Sequence, residues 1–373
     1  MDLRGSDMTS ITDRDSDGDH IWRFTEIDDV VDSLSATWIL TERDDAIKSE
    51  VDRLLKSAFS RFADRRLKQS TRANETRCLA LTGESGAGKS SLLERIFAKH
   101  PALINFGVEG EPCPLISVSA PAPSTLGGLG REVLHALGYP IARSSDRNLI
   151  WEYVRRHLKE LRIVALHIDE FQNVTETANK PEITQILGTL KTLMNSREWP
   201  VALILSGLPS ANDVLRMDTQ VRRRCRFRRL QRLSPDDIDM VEGLIAGFAD
   251  KASLSVAPQD DLAARLIHAA NDQLGVTIEL VIEAVRSAQE AAAHAPSASR
   301  AGGGGRRIKA AAPTLDIHNF ADAYAARNGC EAEHNPFVVE NWGDVDTTIV
   351  FEPAPELPGD DAPVRRPRRQ RKG

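Results

Sequence analysis

The segment Gly83-Glu84-Ser85-Gly86-Ala87-Gly88-Lys89-Ser90 lies between a short apolar run and an amphipathic pattern, and few folds accommodate it. Its glycines let the backbone wrap closely around a bound group, several of them at positive φ. In a turn of the form GxxxxGK[ST], successive N–H groups surround a phosphate. Lys89 then brings a point charge to the β/γ oxygens, and the Ser90 hydroxyl can hold Mg²⁺. The helix read over 89–99 carries Leu92, Leu93, Ile96 and Phe97 on one face, and its positive N-terminal end supports the same anion. The cradle is Gly83, Glu84, Ser85, Gly86, Ala87, Gly88, Lys89, Ser90 and Ser91. A glycine-rich turn without ligand would require both flanking patterns to be accidental.

Four short apolar runs, 78–82, 115–118, 163–168 and 201–205, are each bounded by charges or turn residues. Such runs suit strands buried on both faces, as in a parallel sheet. Helical patterns over 126–137, 147–161 and 183–194 lie between them, which implies βαβ units. A fifth strand is read at 227–230, followed by Ser234 as an N-cap with Pro235 at N1. The fold class is therefore α/β: a P-loop nucleotide-binding fold with a five-stranded parallel sheet flanked by helices and followed by a small C-terminal all-helical unit, here called the lid. The expected divisions are a disordered acidic N-terminus (1–20), a helical region (21–73) anchored by Trp22, Trp38, Ile39 and Leu40, and the α/β domain (74–232). Beyond these come the lid (233–295), a flexible linker (296–313), a helix with an Asn335-Pro336-Phe337 segment (314–340) and a disordered basic tail (341–373).

The run over 163–168 ends in Asp169-Glu170, at the sheet edge where open α/β sheets bind ligands. Asp169 is placed for the Mg²⁺ shell and Glu170 for polarising an attacking water. Apolar runs ending in two acids are common; joined to the cradle, the pair gains meaning. His167 is read as a satisfied buried histidine. Ser206, at the end of the fourth strand, is the one polar candidate for sensing the γ-phosphate or the water, with a plain turn residue as the alternative. In Gln220-Val221-Arg222-Arg223-Arg224, an arginine could reach a neighbouring subunit's nucleotide; Arg224 is the first choice and Arg223 the second. A solvated or DNA-facing basic face is the competing reading.

The chain has 373 residues, 41% hydrophobic and 27% charged, with formal net charge −6. Charge is uneven along it: Asp13, Asp15, Asp17 and Asp19 alternate near the start, while Arg365, Arg366, Arg368, Arg369, Arg371 and Lys372 crowd the end. Such polarity is compatible with contact to a polyanion. No apolar run approaches the ~20 residues of a membrane span. The acidic, unapolar N-terminus is not a secretory signal. Cys78, Cys113, Cys225 and Cys330 are scattered, which argues against a zinc site or a disulfide scaffold. A cytoplasmic protein without membrane contact is expected.

Strand, GESGAGKS, IDEFQN (168–173), SGLP (206–209), QVRRR and then a helical unit is the order seen in AAA+ ATPases. More narrowly, LTGESGAGKSSLLERI (81–96), IDEFQN, the arginine segment and the C-terminal helix with NPF resemble the TniB family, transposon-encoded relatives of TnsC and IstB. The resemblance spans about residues 21–340. It implies slow ATP hydrolysis stimulated by DNA or assembly, and ATP-dependent self-assembly into a ring or filament on double-stranded DNA. It also implies recruitment or activation of a DDE transposase. Three features depart from the pattern: Ser206 stands where threonine or asparagine is often found, Gly275-Val276-Thr277-Ile278 lacks a second-sensor arginine, and both charged termini are unusual. A helicase loader, a phage-defence ATPase and a nucleotide-regulated scaffold with negligible hydrolysis are the alternatives.

Overall fold

Side chains alternate along a strand, so a strand apolar at every position must be covered on both faces. The computed structural model describes residues 13–14, 20–21, 26–37, 41–66, 77–141, 146–294 and 313–349. Strands β1 (Cys78–Thr82), β2 (Leu115–Ser119), β3 (Ala165–Asp169), β4 (Ala202–Gly207) and β5 (Cys225–Arg229) form one parallel sheet in the order β2-β3-β4-β1-β5. Helices α1 (Glu26–Ser35) and α2 (Glu42–Arg66) precede it. Between strands run α3 (Lys89–Lys99), α4 (Leu126–Ala136), α5 (Arg147–Glu160), α6 (Gln172–Thr177), α7 (Lys180–Met194), α8 (Ala211–Met217) and α9 (Thr219–Arg224). Then follow α10 (Ile238–Lys251), α11 (Leu262–Ala269), α12 (Leu274–His294) and α13 (Ile317–Asn328).

Alternation divides the core in two. Cys78, Ala80, Leu166, Ile168, Leu203 and Leu205 face α4, α5, α7 and α8, where Val133, Trp151, Leu190 and Leu215 are buried. Leu79, Leu81, Leu115, Ala165, Ala202 and Ile204 face α2 and α3, meeting Val51, Leu55, Leu93 and Phe97. Each large side chain so buried contributes about 1.5–3 kcal/mol, which fixes α3 and the turn before it against the sheet.

These elements group into two compact units. One holds the described residues from 35 to 238 together with 272–279; α2 belongs to it, and so do the first residues of α12. The other holds the described residues before 35, residues 239–271 and those from 280 onward. In this second unit Phe337 packs against Phe320 and Tyr324, with ring centroids 5.6 and 6.1 Å apart. Asn335 donates to the Ala321 carbonyl at 2.8 Å and accepts from the Phe337 N–H at 3.0 Å, so the NPF segment is a structural clasp.

Several elements differ from their expected bounds. β5 starts at Cys225, because Arg226 and Arg228 alternate toward α2 and hide the strand's apolar signal. There they meet Glu50, Arg226 at 2.9 Å and Arg228 in a short ion pair. α6 and α9 are six-residue helices, too short to display a period. Structure also continues beyond 340: Trp342–Asp344 forms a 3₁₀ turn, with the Trp342 ring 5.5 Å from His268 and 5.8 Å from the Arg265 guanidinium. Within the first twenty residues the described structure is Asp13–Arg14 and His20; Asp13 pairs with Ile21 and Arg14 with His20 in a short antiparallel ladder. Trp22, Trp38, Ile39 and Leu40, most of the 296–313 linker and the arginine-rich end lie outside the described residues.

Glu50 is 4% exposed, between arginines that are 43% and 45% exposed. Burial raises the carboxyl pKa, but hydrogen bonds and charge from Arg228 and Arg226 outweigh it, and the value falls below normal. A carboxylate whose pKa drops on folding stabilises the fold above its ordinary range and loses that contribution as pH falls through the folded value. Glu50→Gln is therefore expected to cost about 2 kcal/mol near pH 7, between the values for exposed and buried pairs. It should also flatten the acid limb of the stability curve, read by denaturant melts from pH 7 to 3.

Candidate nucleotide site

β1 ends at Thr82 and the chain turns through Gly83–Gly88 into α3. Gly86 and Gly88 have φ of 76° and 82°, a left-handed conformation that costs an L side chain about 1–2 kcal/mol. Gly88 is the N-cap of α3 and makes no side-chain cap bond, so the helix's first N–H groups face the turn. Lys89 is 8% exposed, and its Nζ donates to the carbonyls of Gly83 at 3.0 Å and Glu84 at 2.8 Å. Burial lowers its pKa, and the nearby Glu170, Asp169 and Glu84 partly restore it. A buried ammonium ringed by loop oxygens and acids is suited to meet polyphosphate charge.

β3 brings Asp169 to the same place. Its Oδ2 accepts from Ser90 Oγ at 2.6 Å, while Oδ1 accepts from Ser206 Oγ at 2.5 Å and from the Glu170 N–H at 2.9 Å. Burial raises the Asp169 pKa, but these three bonds, with a smaller electrostatic contribution from His167, hold it below normal. The adjacent Ser90 hydroxyl and ionised carboxylate are hard oxygen donors of the kind Mg²⁺ takes alongside substrate phosphates, so the residues fit that ion. Glu170 sits at φ 53°, a strained left-handed conformation for a non-glycine residue, and its carboxylate is held by the Gln172 amide. Gln172 Oε1 in turn accepts from the Leu208 N–H at 3.0 Å, past the end of β4. Among the described residues no group of three or more His, Cys, Asp and Glu side chains could form another metal site.

The structure brings together the cradle, Asp169 and Ser206, but it does not aim Ser206 outward. Ser206 is 1% exposed, with its hydroxyl shared between Asp169 and His167 Nε2, the latter at 2.7 Å. Arg223 and Arg224 are not at this end of the sheet. They close α9 just before Cys225, which pairs with Cys78 at the start of β1. From there to the cradle is five strand residues, roughly 16 Å at 3.3 Å each. The arginines on either side of this segment are committed internally: Arg226 and Arg228 to Glu50, Arg229 to Glu84 of the cradle at 3.0 Å, and Arg216 over the Phe227 ring.

Two neighbours of the cradle were not legible from motifs. Arg229 lies there because β5 pairs with β1 in register, which no linear pattern reveals. Gly275, at the start of α12, packs on the loop so closely that an added Cβ would lie 2.3 Å from the Gly86 carbonyl oxygen. Gly275→Val is expected to displace the turn and weaken ATP binding at least tenfold, while Gly243→Ala, in open space on α10, should leave it unchanged. Equilibrium titration with a fluorescent ATP analogue reads both.

The sheet order, the glycine-lysine turn after β1 and the acids after β3 define a P-loop AAA+ fold. The chain belongs to the TniB family: the family model described as "Bacterial TniB protein" matches residues 42–235. Solved structures similar to it include Aeropyrum pernix ORC1 in complex with DNA, at 14% identity and TM-score 0.51, covering 82% of this chain and 69% of that one. Cdc6p from Pyrobaculum aerophilum is similar at 15% identity and TM-score 0.47, covering 70% of this chain and 66% of that one, just under two thirds of its length. No curated protein matches this chain.

Proposed function

We propose that this chain is an ATPase whose nucleotide state governs its self-assembly on double-stranded DNA and, through that assembly, recruitment of a DDE transposase. One observation carries the reading: Ser90 Oγ lies 2.6 Å from Asp169 Oδ2, directly beside the Lys89 turn. Membership of the TniB family supports it. The similar Aeropyrum ORC1, solved with DNA, points to the same class of partner.

The proposed roles are these. Backbone N–H groups of Gly83–Gly88 and the α3 N-terminus bind the phosphates, and Lys89 neutralises them. Ser90 and Asp169 would hold Mg²⁺, which when bound neutralises charge on the phosphate oxygens. Glu170, oriented by Gln172, accepts a proton from the attacking water. Arg224 or Arg223, remote from its own cradle, serves a neighbouring subunit's nucleotide, so one phosphate reports on two protomers and couples binding to assembly. Phosphate contacts by exposed arginines make DNA affinity fall steeply with salt.

The inward-facing Ser206 hydroxyl and the missing second-sensor arginine favour a second reading, a nucleotide-regulated scaffold with negligible turnover. Phosphate release measured with and without duplex DNA separates the two. DNA-stimulated hydrolysis is the expected result, and absence of turnover under every condition supports the scaffold. Sedimentation with Mg-ATP and duplex DNA should show assemblies larger than the protein alone, dissolving as salt is raised. A protein that stays monomeric on DNA with Mg-ATP contradicts the assembly step.

A further inference from the structure

His167 is buried in β3, and the site chemistry above leaves it without a role. It is 1% exposed and edge-on to the Phe97 ring, 5.3 Å away. Alternation puts it on the α3 face of β3 with Ala165 and Asp169. Ser117 is its register partner on β2, and Ile204 its partner on β4, two residues before Ser206. Its Nδ1 lies 2.7 Å from Ser117 Oγ and its Nε2 2.7 Å from Ser206 Oγ, so both ring nitrogens meet hydroxyls.

The proton directions in this chain are fixed. Ionised Asp169 can only accept, so Ser206 spends its single proton on Asp169 Oδ1. The Ser206 oxygen must then accept from His167, which puts the ring proton on Nε2. Nδ1, the other ring nitrogen, is then the acceptor for the Ser117 hydroxyl at 2.7 Å. The alternative tautomer would either set a bare nitrogen lone pair against the Ser206 oxygen or draw the serine's one proton away from Asp169.

We infer that His167 is a positioning residue for the metal carboxylate: through Ser206 it fixes the direction of a Ser117–His167–Ser206–Asp169 hydrogen-bond chain that holds Asp169 turned toward Ser90. This rests on the Mg-ATP reading of the site and assigns the sequence-predicted sensor a different task. Partners one step removed from a metal ligand, as Ser206 is from Asp169, are commonly worth 10–100-fold in metal affinity because they set the ligand's orientation and basicity; His167, one step further out, acts through Ser206 and takes the lower end of that range.

The test is the magnesium concentration needed for half-maximal tightening of ATP binding, measured by titrating Mg²⁺ into the full chain with a fluorescent ATP analogue, and in EDTA for the metal-free affinity. His167→Phe, which keeps a ring against Phe97, is expected to raise that concentration about 10-fold and to leave EDTA binding unchanged. Ser206→Ala should raise it equally, and the double variant no further, since both act through one chain. His167→Gln, which retains an N–H donor, should restore most of the loss. Multiplied effects in the double variant, or an unshifted requirement in folded His167→Phe, overturn the inference. If His167→Phe does not fold, Ser206→Ala and His167→Gln decide: the chain requires the first to raise the requirement and the second to stay near wild type. Wild-type protein that binds ATP without any response to Mg²⁺ defeats the underlying site reading instead, whatever the variants do.

Discussion

Lys89→Ala is expected to weaken ATP binding by about 100-fold while leaving the fold intact. The ammonium is the one cation inside the turn, and losing a charge-assisted contact of about 2–3 kcal/mol corresponds to that factor. Folding should not suffer, because Lys89 is a burden to the unliganded protein. It is 8% exposed, its pKa is depressed by burial, and its donors are satisfied by backbone carbonyls. The melting temperature without nucleotide should therefore hold or rise, and the stabilisation that ATP gives the wild type should vanish. Differential scanning calorimetry with and without Mg-ATP reads both quantities. A variant that melts well below the wild type without nucleotide, yet still gains the full stabilisation from Mg-ATP, would assign Lys89 to the core.

Glu170→Gln should act on the opposite side of the cycle. The amide keeps the shape of the side chain but cannot take a proton, so turnover is expected to fall by about 10²–10⁴ with ATP affinity within about threefold of wild type. Under the assembly reading, ATP then persists between subunits and the oligomer accumulates. Gel filtration with Mg-ATP should show a larger species for Glu170→Gln than for the wild type. A strictly monomeric variant with normal ATP binding removes the link between hydrolysis and disassembly. The left-handed backbone at Glu170 adds a corollary, since strain of about 1–3 kcal/mol at such a residue persists only when its neighbours enforce it. Here the Gln172 amide and the bond from its own N–H to Asp169 do so.

The sheet was legible because four of its strands are apolar at nearly every position and each ends in a turn or charge. Gly83–Ser90 was legible because phosphate chemistry dictates both residue type and spacing. β5 was misplaced because two of its five residues are arginines aimed at a single buried acid, Glu50, which lies 176 residues from Arg226 in the chain. Such pairing is a product of topology and leaves no local trace. The two six-residue helices span fewer than two turns, too few for a repeat to show. Ser206 and His167 were visible as residues but not as partners. Their relation depends on strand register and on both lying on the α3 face, and register is set by long-range packing rather than by neighbours in sequence. Gly275 shows the same gap, for its missing side chain matters only because Gly86 lies against it.

What joins these results is the convergence of the Lys89 turn and the Asp169 strand end, which we propose hold one Mg-triphosphate between them. Equilibrium binding of ATP to the full-length chain, in magnesium and in EDTA, tests this most directly when repeated on Lys89→Ala and Asp169→Asn. The proposed function predicts saturable binding by the wild type, tightened by magnesium, with Lys89→Ala losing affinity in both conditions and Asp169→Asn losing only the magnesium response. Equal binding by all three proteins, or none by the wild type, would contradict it.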